Sequence, residues 1–488
     1  MSAPEKVVLL NWLLLFPFIA AAVIAVFPRI LLLIPQQERR SARAAPAATA
    51  ITAIGCSLAA CAALGAYASG RGVAADYLWT PDFFQFRLRL DALGLYCLLA
   101  VLAGLIITAL WAAIEGPPDH VRWAAFIAAA GAFTGVVLAA DLVLLYMFWE
   151  LAGLALWVSL APPLASGRRF LTWSNAGGLS ILVAILWVAI LTQDTDIYTA
   201  GPGLLVHLLS SVKWVGVFLM LGLGVRLGLA PLHFWLPDLC RGAQGKWNLA
   251  LLGTGIVVAG YGAVRLVFYM LPGYAAAAVA WLPITMGLAT VAYAGGRALL
   301  SDDICAGASH LVACVGGQIA FGIGLGMQGH SSGLAGALAL LAPLALSAPL
   351  LAAGANSDTG GQTWSSGRGR YRAAPACGAA MIAAAWTLSG IPPFAGLWGQ
   401  RAIALASWQA GGAAALLAAL IAPALIVAYG VKAALRGFAQ TGASQRQRRQ
   451  DPRWWLVTAV VIASLMLGIA QSAWYPYLLK IARALSGV

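Results

Sequence analysis

Apolar runs long enough to cross a bilayer follow one another along nearly the whole of this 488-residue chain. A helical crossing takes about 20 apolar residues, and the runs, set apart by short polar connections, number about fourteen. Lipid offers no hydrogen bonds, so each run must satisfy its own backbone, which a helix does. The expected fold is an all-α polytopic membrane protein. With 62% hydrophobic and only 9% charged residues, the composition excludes a soluble domain of ordinary make-up. The first run, from Val7 to Ile34, exceeds a signal-peptide core and has no small-residue cleavage site, so it reads as a retained span.

A net charge of +13 points to nucleic acid only until its location is considered. The basic residues gather in alternate connections, those after spans one, three, five, seven, nine, eleven and thirteen: Arg39, Arg40 and Arg43; Arg122; Arg168 and Arg169; Arg241 and Lys246; Arg297; Arg368, Arg370 and Arg372; Arg436, Arg446, Arg448, Arg449 and Arg453. By the positive-inside rule these loops face the cytoplasm and both termini lie outside. The partner of this charge is then anionic lipid, not nucleic acid. Lys213, Arg71, Arg87 and Arg89 break the pattern. Alternation of Phe84, Phe86, Leu88 and Leu90 with Gln85, Arg87 and Arg89 predicts an external β-hairpin that would turn Arg87 and Arg89 to water. Seven cysteines, mostly within spans and without a CxxC pair, indicate neither a disulfide framework nor a metal site.

Two features cost free energy at membrane depth. Glu150 stands near the centre of span five, DLVLLYMFWELAGLALWVSLA, where a carboxylate must be paired, protonated or hydrated. It reads as a proton-carrying or gating acid, or else as a structural counter-ion. Span seven carries Arg226 and is interrupted at Ala230-Pro231 before His233, because proline cannot donate the helical hydrogen bond. Span twelve, Ala374 to Ala410, is likewise interrupted at GIPPFAGLWGQ, residues 390–400. Irregular backbone at this depth is tolerated beside protein or a wet cavity. His310, about two turns into span ten, is either a proton relay or a hydrogen-bonded core histidine. Arg265, near the outer end of span eight, reads as a snorkelling side chain.

The two interruptions lie five spans apart. Spans four to eight (residues 121–270) and nine to thirteen (residues 276–436) therefore read as two five-helix units in opposite orientation, the inverted-repeat plan of many transporters. Residues 1–120 hold spans one to three with the hairpin, and 437–488 hold a basic loop and span fourteen.

Taken together, Phe148-Trp149-Glu150, PLHFWLPD at 231–238, Leu90-Asp91-Ala92-Leu93, the aspartates before span ten and GIPPFAGLWG resemble the proton-translocating antiporter-like membrane subunits. That family is shared by respiratory complex I, membrane-bound hydrogenases and multisubunit cation/proton antiporters. The resemblance covers roughly residues 80 to 435. It implies fourteen spans, inverted repeats, broken spans seven and twelve, and both termini outside. It places Glu150 on the span-five glutamate and Arg226 on the span-seven lysine, the pair that governs proton loading. It also exposes departures: Val257 replaces the span-eight cation, Pro343 and Ser347 stand where span eleven carries histidine and lysine, and the charge after the span-twelve break falls on Gln400, with Arg401 one position on. LCRGAQGKWN lacks the acidic stretch that follows WLPD in relatives. Arginine does not release its proton in a protein, so Arg226 can fix the charge of Glu150 but cannot carry a proton.

The leading expectation is an ion-translocating subunit of a complex-I-like or hydrogenase-like assembly in a bacterial inner membrane. Its partners would be other membrane subunits, lipid, and protons or monovalent cations. Glu150 would be the acid and Arg226 its partner, with a wire running through water, His233, His310 and Gln400. No GxGxxG opening a helix after a strand, no cysteine cluster and no haem attachment site is found, so no cofactor is expected in this chain. Two other readings stand beside it: a non-conducting scaffold that kept the fold and lost the wire, and a subunit of a cation/proton antiporter or inorganic-carbon uptake system.

Overall fold

The computed structural model describes residues 3–31, 45–67, 73–80, 84–115, 119–160, 164–241, 245–355, 363–366, 369–439 and 453–487. Arg39, Arg40, Arg43, Arg71, Arg368, Arg446, Arg448 and Arg449, and the side chain of Lys246, lie outside them. The long helices are α1 (Ala3–Leu31), α2 (Ala45–Tyr67), α3 (Ala92–Glu115), α4 (His120–Leu138), α5 (Leu142–Leu160), α6 (Leu164–Thr192), α7 (Leu209–Leu227), α8 (Gly245–Met270), α9 (Trp281–Leu300), α10 (Ile304–Met327), α11 (Ser331–Ala355), α12 (Pro375–Ser389), α13 (Gly396–Gly437), α14 (Arg453–Ile469) and α15 (Gln471–Ser486). Twelve of the described helices are long and apolar enough to cross a membrane, and α14 with α15, bent by 68° at their junction, make up to thirteen. The chain is a multi-pass membrane protein.

The few acids are spent on helix starts, where free backbone N–H groups and the helix dipole favour an anion. Asp119 accepts from the amide of Arg122, Asp303 from that of Ala306 at 2.7 Å, and Asp91 from that of Gly94 at 2.8 Å. Asp141 accepts from the amides of Val143 and Leu144. Each cap sets the level at which a span leaves the interface.

Strands β1 (Val73–Thr80) and β2 (Phe84–Leu90) pair antiparallel, with Asp76 opposite Arg87, so the hairpin is where the alternation placed it. Its cations do not face water as expected. Arg87 bonds Asp196 at 2.6 Å, and Arg89 lies over the Tyr198 ring, 4.1 Å from its centroid. Both hold the connection between α6 and α7 against the hairpin. Arg265 is also not a snorkelling side chain. At 1% exposure it meets Asp91 in a two-pronged bridge, Nη1 to Oδ2 at 2.6 Å and Nη2 to Oδ1 at 2.7 Å, and its Nε donates to the Tyr261 hydroxyl. Tyr198 and Tyr269 hydroxyls complete the shell on Asp91. The pair joins α8 to the start of α3.

Both interruptions are present, but glycine makes them. α7 ends on Gly228 (φ 67°) and α12 on Gly390 (φ 84°), left-handed positions that suit a residue without Cβ; Pro231 and the Pro392-Pro393 pair follow. Past each break a side-chain N–H returns to a carbonyl of the preceding last turn: Trp235 Nε1 to Val225 O at 3.1 Å, and Gln400 Nε2 to Leu388 O at 3.0 Å. These bonds satisfy groups that a helix end leaves open.

The α13 helix, 42 residues long, contains non-helical Gly411 and Gly412 and doubles back there. Gln409 reaches Ser332 at the start of α11, whereas Lys432 donates to the carbonyls of Leu299 and Ser301 at the end of α9. These contacts lie at opposite ends of α10. On one face of the bundle therefore lie Asp91, Arg265 and Asp196. On the other lie Asp302, Asp303 and Arg436, where Asp302 bonds the amide of Ser365 at 3.0 Å and its hydroxyl.

Candidate functional site

Glu150 is the ninth residue of α5 and sits half-buried in mid-helix. Its Oε1 is closed off from the surface and has no hydrogen-bond partner. The space it occupies is left by Gly178 of α6, where a Cβ would lie 1.9 Å from Oε1. Arg226, in the last turn of α7 and 9% exposed, reaches the same neighbourhood by a different route. Its Nη2 donates to the carbonyl of Trp149 at 3.3 Å, its Cζ lies 5.5 Å from the Trp149 ring centroid, and Gly153 leaves its room, a Cβ there standing 2.3 Å from Nη2. Acid and guanidinium thus share one corner between α5, α6 and α7 and act on each other as charges, with no ion pair within 4.0 Å joining them. The α5 backbone takes the guanidinium instead. A cavity of about 20 Å³ beside Arg226, walled by Trp149, Phe133, Leu156 and Trp235, has room for one water.

His233, just past the first break, is 3% exposed, and neither ring nitrogen has a partner among the described residues. Its ring packs edge-on against Tyr293 of α9, 4.7 Å between centroids, and lies within electrostatic reach of His310. His310, 4% exposed, bonds the Ala306 carbonyl through Nδ1 at 2.6 Å. The two histidines thus connect the first break to α10.

Gln400, the fifth residue of α13, is held by Gln318 of α10 in a reciprocal pair: Gln318 Nε2 to Gln400 Oε1 at 2.7 Å, Gln400 Nε2 to Gln318 Oε1 at 2.8 Å. Arg401 is exposed and lies over the Trp398 ring at 5.3 Å, on the side of α13 away from this pair. Val257 is fully buried in apolar core, and the Ser347 hydroxyl is buried without a partner. Pro343 borders an apolar cavity of about 240 Å³ shared with Tyr96, Leu346 and Trp474.

Sequence reasoning did not single out Gln318, Gly153 or Gly178. A neutral amide inside an apolar run is itself a signal, since it must find a partner in a medium that offers none. A glycine that makes room for a side chain of another helix leaves no trace in its own helix.

The family described as NADH:quinone oxidoreductase/Mrp antiporter, transmembrane, matches residues 139–425, more than half of the chain. Among curated relatives, the NAD(P)H-quinone oxidoreductase chain 4 2 of Trichodesmium erythraeum is 30% identical over 240 residues, 46% of this chain and 42% of that protein; the chain spans under half the length of the curated relatives it matches. Among solved structures it superposes on a chain of respiratory complex I from Thermus thermophilus with TM-score 0.83 at 20% identity, covering 98% of this chain and 99% of that one. It superposes on a chain of the membrane-bound sulfane sulfur reductase, an archaeal respiratory membrane complex, with TM-score 0.84 at 15% identity, covering 98% and 97%. These neighbours are chains of multisubunit membrane complexes and share the fold. By the extent of its match, the chain belongs to the NADH:quinone oxidoreductase/Mrp antiporter transmembrane family, as an antiporter-like membrane subunit.

Proposed function

We propose that this chain is the proton-translocating membrane subunit of a complex-I-like or hydrogenase-like assembly, in which Glu150 takes up and releases the proton. The observation that carries the reading is the carboxyl group itself: it stands at mid-membrane with one oxygen unpartnered, in a space that Gly178 leaves for it. A buried acid so placed is costly and marks an ion path by default. Arg226 supplies a permanent positive charge one residue away, on the Trp149 carbonyl. His233 and His310 extend the polar row toward α10. Driving energy comes from a redox partner elsewhere in the assembly.

The architecture proposed with it has fourteen spans, both termini outside, and two five-helix units, residues 121–270 and 276–436, in opposite orientation. The reversal of α13 at Gly411-Gly412 supports counting it as two crossings. Corresponding features in the two units support the repeat. Asp141 bridges Asp196 before and after two spans of the first, and Asp303 bridges Thr363 at the same place in the second. Left-handed Gly228 and Gly390 cap the two broken spans.

The scaffold reading keeps one specific observation. Nine residues after Asp141 stands Glu150, and nine after Asp303 stands Val312; two before Gly228 stands Arg226, and two before Gly390 stands Leu388. The second unit repeats the frame without the charges. The test is Glu150→Gln in the native complex, purified and reconstituted in vesicles. Loss of this subunit's share of translocated protons, with assembly and turnover intact, is the expected result; undiminished translocation establishes the scaffold.

A further inference from the structure

We propose that the Gln318–Gln400 pair is a neutral gate in the second half of the ion path, shut while the two amides bond each other and open when they part and water takes their place. This rests on the reading that the chain moves protons. Gln318 is 1% exposed and Gln400 9%. Each carbonyl oxygen accepts from the other amide, and Gln400 spends its remaining N–H on Leu388 O. The bonds that join the two amides face each other, so a water passing between them must first replace one of these bonds.

The position of the pair argues for a gate and not a fortuitous contact. Along α10 the buried polar side chains run from His310, near the Asp303 end, to Gln318, eight residues on, a rise of about 12 Å. Along α13 they run from Gln400 to Ser407, seven residues on and so on the same face. The two rows meet at Gln318 and Gln400. Among the described residues the groups that bond there are these two amides and the Leu388 carbonyl, none of them an acid or a base, so a proton crosses the junction on water.

The geometry also allows the pair to part. It clips three segments together across a break: the middle of α10, the end of α12 and the start of α13. Gly390 makes the room, since a Cβ there would stand 2.8 Å from Gln400 Cγ. Hydrogen bonds between neutral amides are exchanged for bonds to water at small net cost, whereas parting a buried ion pair strands charge. When the α12–α13 break opens, the freed amides can hold a water chain by donating and accepting hydrogen bonds while keeping their own protons.

Two variants of the native complex in vesicles test this, beside Glu150→Gln. Gln318→Asn shortens one arm so that it no longer reaches Gln400, and passive proton leak without turnover is expected to rise above wild type. Gln318→Leu with Gln400→Leu leaves neither amide stranded and replaces the gate by an apolar plug that water does not enter; the complex is expected to assemble and turn over but to lose the same share of translocated protons as Glu150→Gln. A Gln318→Asn complex as proton-tight as wild type, or a double-leucine complex that translocates normally, overturns the gate. If Glu150→Gln alone reduces translocation, the functional reading stands without it.

Discussion

The Glu150 carboxylate and Gly178 are fitted to one another across the α5–α6 contact, with 1.9 Å between Oε1 and the place a Cβ would take. Gly178→Ala therefore forces the carboxylate out of its pocket without touching any charge. Translocation is expected to fall about as far as in Glu150→Gln, with the complex assembled and its redox turnover retained. Proton uptake per electron in vesicles measures it, and unchanged stoichiometry would show that the pocket does not position the acid.

On the proposed reading Arg226 acts as fixed charge. Arginine holds its proton throughout the accessible range, so the wild-type rate owes no alkaline limb to this residue. Arg226→Lys keeps the charge and a donor for the Trp149 carbonyl, but a buried lysine loses its proton at lower pH. The variant is expected to translocate near neutral pH and to decline as pH rises, whereas Arg226→Met fails at every pH. A pH–rate profile of the two variants beside wild type decides it.

The Asp91–Arg265 bridge fastens α8 to α3. Asp91→Ala leaves a fully buried guanidinium without its carboxylate, a loss of about 3–5 kcal/mol, read as a drop in thermal stability of the detergent-solubilised chain. The double variant Asp91→Leu, Arg265→Met removes both charges and is expected to recover most of it. Equal destabilisation by the single and double variants would mean that the charges themselves are not what matters.

Acid should act on the same bridge. Burial opposes the charge on Asp91, but the Arg265 guanidinium, its hydrogen bonds and the Gly94 amide outweigh it and hold the carboxyl at about 2, below the ordinary value near 3.9. A depressed folded-state pKa gives stability that is complete above the unfolded value and is lost as pH falls through the folded one. The bridge is expected to contribute on the order of 2 kcal/mol above about pH 4, fading toward pH 2. Asp91→Asn removes this part of the acid sensitivity, which acid titrations of wild type and variant compare directly.

How much of this was legible in the chain depended on range. Spans α3, α5 and α10 announce themselves because apolar length and an aspartate at the start are local signals. The hairpin follows from period-two alternation at 84–90, and Glu150 from its cost in lipid. What the sequence could not supply are meetings between distant residues. Arg265 reads as a snorkelling side chain because it lies near the outer end of its span, yet its carboxylate comes from Asp91, five spans earlier. Gln318 passed unremarked because an amide shows no charge, and its worth depends on Gln400 arriving opposite. The interruption of α7 reads from the sequence as the work of Pro231, but Gly228 ends the helix first by its left-handed conformation, and Pro231, which lacks an N–H, follows it. Glu150 and Arg226 each stand out in the sequence, but the bond from Arg226 to the Trp149 carbonyl does not.

The bend between α14 and α15 has a mechanical meaning. Beyond it α15 packs mainly on α11 and also touches α3, α8 and α10, so one short rod lies across helices from both halves of the chain near the Asp91 face. On the Asp302 face the cross-tie from the end of α13 is Lys432 on two carbonyls of α9, both within the second unit. On that face the segment Trp235–Leu239 also packs on α10. The bundle is therefore tied at both ends, and movement of residues 121–270 against residues 276–436 would have to slide α15 over α11 at one and Trp235–Leu239 over α10 at the other.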